Sequence, residues 1–197
     1  MRHMVTVTIE GVSPYSQGRG YGRRHPKLPK EGHDQYEERT WRERCHYREK
    51  DGRIYIPGSA LYLAMVSAAK FRGESIPGQG KKTWTKRFVS GVLPMNNPVL
   101  DPGVTKDEVK GVDVFVPSTG NAAFDGGGGK RVWKTFPTIE EWSCVAEFMI
   151  VDPLITDQVF RDHITEAGMS IGIGTYRPQS RGTNGRFRVT GFEWSEA

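Results

Sequence analysis

Residues 4–12, MVTVTIEGV, alternate apolar and polar positions. That is the pattern of a strand with one buried face. Val5, Val7 and Ile9 are expected in the core, and Thr6, Thr8 and Glu10 on the opposite face. The chain then changes character. Residues 13–53 are polar, with Gly and Pro early and charges later, and show no helical period. They predict a long excursion with a short helix or strand near YEERTWRERCHYRE.

The segment IYIPGSALYLAMVSAAKF gives the clearest element. Ile54 and Ile56 end a short strand, Pro57 and Gly58 turn, and Ser59 is expected to cap a helix. Leu61, Ala64, Met65, Ala68 and Phe71 recur at helical spacing and predict a core-facing stripe. A Gly-rich loop covers 73–83. WTKRFVSGVLPM and VDVFVPS each predict a strand, and RVWKTFP predicts a strand returning from the loop NAAFDGGGGK. EEWSCVAEFMIV is nearly continuous in apolar residues, which predicts a central strand. DPLITDQVFRDHITEAG predicts a helix with Asp152 as N-cap, Pro153 at its first position and Gly168 as its stop. Ile155, Val159, Ile164 and Ala167 form its stripe. GRFRVTGFEW predicts the last strand.

Without the excursions the order is β-α-β-β-α-β. This is an α+β, ferredoxin-like or RRM-like core with long loop or hairpin insertions at about 13–53 and 96–130, in a single RRM-like domain over 1–197. Two helices then cover one face of an antiparallel sheet. If Phe187 and Val189 face the core, Arg186 and Arg188 share the other face with Thr6 and Thr8. A polar, basic open face suits nucleic acid; the plainer alternative is a solvated face.

Composition changes the picture through its distribution. The 197 residues carry a net charge of +5, 24 glycines and a hydrophobic content of 36%, which suits a modest core with polar excursions. The basic bias permits nucleic acid or an anionic membrane surface as partner. No apolar run approaches a membrane span, and the opening strand pattern leaves no secretory leader expected. Two cysteines make no disulfide framework, so a reducing cytoplasm is the default. Four separated segments combine glycine, cations and aromatics. The first begins with Arg19, Arg23 and Arg24. KKTWTKR supplies Lys81, Lys82, Lys86 and Arg87. GGGGKRVWK supplies Lys130 and Arg131, and the last loop supplies Arg177, Arg181, Arg186 and Arg188.

Catalytic chemistry finds little support. His25, His33, Cys45 and His46 share one excursion but lack the paired spacing of a zinc motif. Asp34, Asp101, Asp107, Asp113 and Asp125 sit in loops, where aspartate is common for turn reasons. GGGGKR and GQGKKTW lack the spacing of a phosphate-binding loop. No catalytic residue, metal or cofactor is assigned.

Two stretches resemble the RAMP superfamily, the repeat-associated proteins that form the backbone of CRISPR effector complexes. They are IPGSALYLAMVSAAK from Ile56 and GIGTYRPQSRGTNGRFRV from Gly172. The resemblance implies a modified RNA-recognition fold in which the IPGS helix, with Ser59, and the Gly-rich loop, with Gly172, Gly174 and Tyr176, lie near guide RNA. It also implies an inserted thumb-like hairpin that separates bases. A phage or mobile-element protein on the same fold fits equally. The expected function is binding of single-stranded RNA or DNA, with RNA preferred, by repeated copies or with other subunits of a ribonucleoprotein. The alternatives are an assembly protein with incidental nucleic-acid binding and a metal-dependent nuclease cutting with a loop aspartate such as Asp34 or Asp125.

Overall fold

A computed structural model of the chain describes residues 2–20, 24–117 and 131–197. Two antiparallel sheets organise it. The first contains β1 (His3–Gly11), β3 (Val92–Pro94), β6 (Ser143–Ile150) and β7 (Phe187–Glu196), in the order β3-β6-β1-β7. The second contains β2 (Tyr15–Ser16), β4 (Lys110–Pro117) and β5 (Arg131–Ile139), in the order β2-β5-β4. The helices are α1 (His33–Thr40), α2 (Gly58–Arg72), α3 (Thr85–Gly91) and α4 (Asp157–Glu166). β1-α2-β3-β6-α4-β7 with this strand order is the ferredoxin-like arrangement. The β4–β5 hairpin lies in the connection between β3 and β6.

Alternation in β1 works as the pattern predicts. Val5, Val7 and Ile9 are fully buried under α2 and α4. Phe88, Phe148 and Phe160 fill the space between sheet and helices, with ring centroids of Phe148 and Phe160 at 5.4 Å. Removing one such ring would cost about 3–5 kcal/mol.

Several local expectations are corrected by tertiary structure. WTKRFVSG is not a strand but leads into α3. Trp84, Phe88 and Gly91 are buried one helical turn apart while Lys86, Val89 and Ser90 face out. Ser59 does not cap α2; the Gly58 N–H donates instead to Asn97 Oδ1 at 2.9 Å, a partner distant in sequence. Phe71 is 67% exposed, and Ala69 joins the buried stripe in its place. α4 starts after Thr156, whose Oγ1 accepts from the Val159 N–H at 3.4 Å. Asp152 instead turns the chain by accepting from the Leu154 N–H at 3.0 Å. Gly168 does not stop the helix. It lies in a π-turn over Ala167–Ile171, and a Cβ there would land on the Phe187 carbonyl oxygen. β6 is central, as its apolar run suggests, yet only Cys144, Ala146, Phe148 and Ile150 point inward, while Val145 is 47% exposed.

The open sheet face is not basic. Pairing places Thr6 between Glu147 and Glu193, and Glu10 beside Arg188. Arg188 is held by Glu10 Oε2 at 2.9 Å. Arg186 precedes β7, and its N–H donates to Ser13 Oγ. The face thus carries three carboxylates against one guanidinium, with Leu93 and Val145 as exposed apolar positions. A bulge in β7 between the partners of Thr8 and Ile9 shifts the parity that simple counting assumes.

Candidate nucleic-acid interface

The two stretches that carry the family resemblance meet in space. A cleft of about 320 Å³ opens between α2 and the loop after the π-turn. Pro57, Ala60, Leu63, Ala64 and Ser67 form one wall, and Gly172, Gly174, Thr175, Arg177 and Gln179 the other. Gln17 and His46 close its floor.

The loop takes its shape from unusual backbone. Gly172 has φ +70° and Gly174 φ +77°. This left-handed region is open to glycine and strained for other residues. A Cβ on Gly174 would also land on the Ser16 carbonyl oxygen and the Tyr15 ring. The Thr175 N–H donates to that carbonyl at 2.8 Å, which fastens the loop to β2. Tyr176 itself adopts φ +58° and packs edge-on against Phe136 at 5.3 Å. Burial raises its phenol pKa, with Arg44 opposing.

The floor is built from polar groups with satisfied bonds. The buried Gln17 amide donates to the Tyr55 carbonyl at 2.9 Å and accepts from the His46 N–H at 2.5 Å. Burial lowers the His46 pKa, and the charge of Arg19 pushes it the same way. The Arg19 backbone N–H donates to the Arg44 carbonyl at 3.0 Å. Arg44 forms a buried ion pair with Glu37 and donates to the Thr135 carbonyl at 2.6 Å. That pair ties α1 to the root of the β4–β5 hairpin.

A second basic site lies between α3 and the loop that precedes it. Lys81, Lys82, Thr83, Lys86, Arg87 and Ser90 line a depression of about 550 Å³ with Ile76. Arg87 is bound to Asp152 at 3.1 Å. Trp84, the aromatic within this basic run, is 7% exposed and faces His163 in the core, so it offers no surface to a base.

The remaining expected residues scatter. Ser59 is exposed on the first turn of α2 and does not line the cleft. Arg24 is exposed in a turn, and Arg181 is exposed at φ +63° after a short 3-10 turn. Arg131 opens β5 and lies over the Phe115 ring at 5.5 Å. Arg23, Lys130 and Asp125 lie outside the described residues. Gln17 escaped the sequence reading, and His46 was weighed only as a metal ligand, because polar residues in an irregular excursion carry no periodic signal; Gln179 lies in the last loop but was not singled out there.

No protein-family model matches the chain, and no curated protein matches it in sequence. Solved structures do resemble it. A chain of the Type III-B Cmr-beta structure bound to cognate target RNA matches at 12% identity and a TM-score of 0.48, over 99% of this chain and 61% of that one. Cmr6 from Pyrococcus furiosus matches at 14% identity and a TM-score of 0.47, over 96% of this chain and 99% of that one. A chain of a CRISPR RNA-guided surveillance complex matches at 10% identity and a TM-score of 0.39, over 96% of this chain and 66% of that one. This chain spans less than two thirds of the first and third.

Among the described residues, no group of three or more His, Cys, Asp or Glu side chains is placed to hold a metal ion. His33 bonds the Trp133 carbonyl, His25 faces Glu43, and Cys45 is buried. No helix of the described residues is long and apolar enough to cross a membrane.

Proposed function

We propose that the chain binds single-stranded nucleic acid, RNA before DNA, in the cleft between α2 and the 172–181 loop. The observation that carries this is the meeting of a helix start, a glycine-built backbone and Arg177 around one open cleft. Glycines let phosphates approach the main chain closely, and Arg177 and Arg19 supply charge and counterion release. The RAMP resemblance favours RNA and a place among other subunits. Binding without cleavage is part of the same reading: Asp34 sits in the first turn of α1, and no metal-holding cluster surrounds it among the described residues. We take the compartment to be the cytoplasm, the default for a chain whose two cysteines make no disulfide framework.

Copies are proposed to line up along a strand. The acidic open face of the sheet, with Glu10, Glu147 and Glu193, complements the α3 surface that carries Lys81, Lys82 and Lys86. Self-association that persists after nuclease treatment and at high salt would favour an assembly protein instead.

The test compares a labelled single strand with its duplex at moderate salt. Tighter binding of the single strand is expected. Equal or tighter binding of the duplex would overturn the proposal.

A further inference from the structure

The loop before α3 is fastened to itself by its backbone. The Ile76 N–H donates to the Lys82 carbonyl at 2.8 Å, and Ser75 pairs with Thr83 across the same turn. The Gln79 N–H closes the turn on the Ile76 carbonyl at 3.0 Å. Gly78 and Gly80, at φ +73° and +63°, supply the left-handed backbone that this reversal needs. Lys81 and Lys82 are thereby set with Lys86 and Arg87 around one depression of about 550 Å³.

Gathering like charges costs stability unless something offsets the repulsion. Arg87 has its offset in Asp152 at 3.1 Å, and it also reaches Gln79 Oε1 at 3.4 Å. The three lysines have no carboxylate within ion-pair distance among the described residues. Thr83 adds a hydroxyl to the lining, and so does Ser90, whose own proton goes to the Lys86 carbonyl at 3.0 Å. The site is therefore concave, held in shape and strongly cationic.

Such a site calls for compact negative charge. A nucleic-acid strand carries one charge per nucleotide, spread along its length, so its interior brings these lysines one phosphate at a time. A carboxylate likewise brings a single charge. Directly linked phosphates put several charges, and several acceptor oxygens, into the span of one nucleotide.

We propose that this depression binds a chain of linked phosphates, either free or carried by a nucleotide or a strand end. It shares no lining residue with the α2 cleft and does not depend on the reading of that cleft. Its lysines are the ones proposed to face a neighbouring copy, so a bound phosphate chain and that copy's acidic face exclude each other.

Isothermal titration calorimetry with inorganic tripolyphosphate, on protein free of nucleic acid, tests the site. Saturable binding at one site per chain is expected, with orthophosphate weaker by about tenfold or more. A Lys81→Gln/Lys82→Gln/Lys86→Gln variant should lose about tenfold or more in tripolyphosphate affinity. A Lys27→Gln/Lys50→Gln/Lys70→Gln variant removes the same charge from exposed positions elsewhere and should keep that affinity. Two further pairs identify the carrier: adenosine triphosphate against adenosine, and 5′-triphosphate RNA against 5′-hydroxyl RNA. The source is the carrier whose triphosphate tightens binding in the unaltered protein but not in the first variant. Absence of saturable tripolyphosphate binding, equal affinity for orthophosphate, or an equal loss in both triple variants would overturn the site. None of these outcomes bears on the cleft, whose strand binding is read with 5′-hydroxyl RNA.

Discussion

Arg177 Nη1 donates to the Gly174 carbonyl oxygen at 3.0 Å, so a cation lining the cleft also closes the loop that forms it. Its Nε donates to Gln179 Oε1 at 3.2 Å. From the sequence, Arg177 and Arg181 read alike, as surface cations between glycines. In the structure Arg177 lines the cleft while Arg181 is exposed beyond it, and single substitutions should separate them. Arg177→Ala should weaken single-strand affinity about tenfold at low salt and cost about 1–3 kcal/mol of stability. Exposed Arg181→Ala should reduce affinity with a stability change within about 0.5 kcal/mol. Denaturant titration beside fluorescence anisotropy measures both. Equal stability of the two variants would remove the strut role from Arg177.

Gly174→Ala should be damaging without touching any charge. The left-handed backbone alone costs an L-residue about 1–2 kcal/mol, and the Ser16 carbonyl leaves no room for the methyl group. A clear fall in melting temperature, with binding lost in step, is expected. Unchanged stability would mean that the loop relaxes freely.

The α3 surface should act through charge. Lys81, Lys82 and Lys86 have no carboxylate partner among the described residues, whereas Arg87 is held by Asp152. Replacing the three lysines by Gln should weaken binding and flatten its salt dependence, by about 0.7 in logarithmic slope for each phosphate no longer neutralised. Arg87→Gln should instead lower stability, because it strips a buried carboxylate of its partner. A triple variant with an unchanged slope would show that these lysines neutralise no phosphate and leave them to contacts between copies.

Stability should fall in mild acid. His163 is buried with its Nδ1 bonded to the Val159 carbonyl at 2.7 Å and its Nε2 without a partner among the described residues. Burial lowers its pKa, and the same cause lowers that of His46. The unfolded chain therefore takes up protons first. Stability is complete above the unfolded value of about 6.5 and is lost as pH falls below it, through the depressed folded values. Thermal melts across that window should show the decline, and His163→Gln should remove part of it. A flat profile in the unaltered protein would contradict the assignment.

What the sequence made legible was periodic. β1, β6, β7, α2 and α4 are marked by apolar spacing, and together they fix the ferredoxin-like core. Short range hid the rest. Trp84 and Phe88 look strand-like until α3 is seen to seat them beside Phe160 and His163. The cap on α2 comes from Asn97, and no local pattern announces it. The loop and helix of the cleft were legible as two stretches. Its floor was not, because Gln17 and His46 become neighbours only through hydrogen bonds within an irregular excursion. The open face failed for a different reason: its sign depends on which residues pair across strands, and the bulge in β7 changes that pairing.

The central claim is where the strand lies. Photocrosslinking with a single-stranded RNA containing 4-thiouridine, followed by mass spectrometry of the peptides, tests it most directly. Crosslinks should fall in residues 172–181 and 57–67, the two walls of the cleft. Crosslinks confined to residues 145–149 and 188–193, on the acidic open face of the sheet, would contradict it.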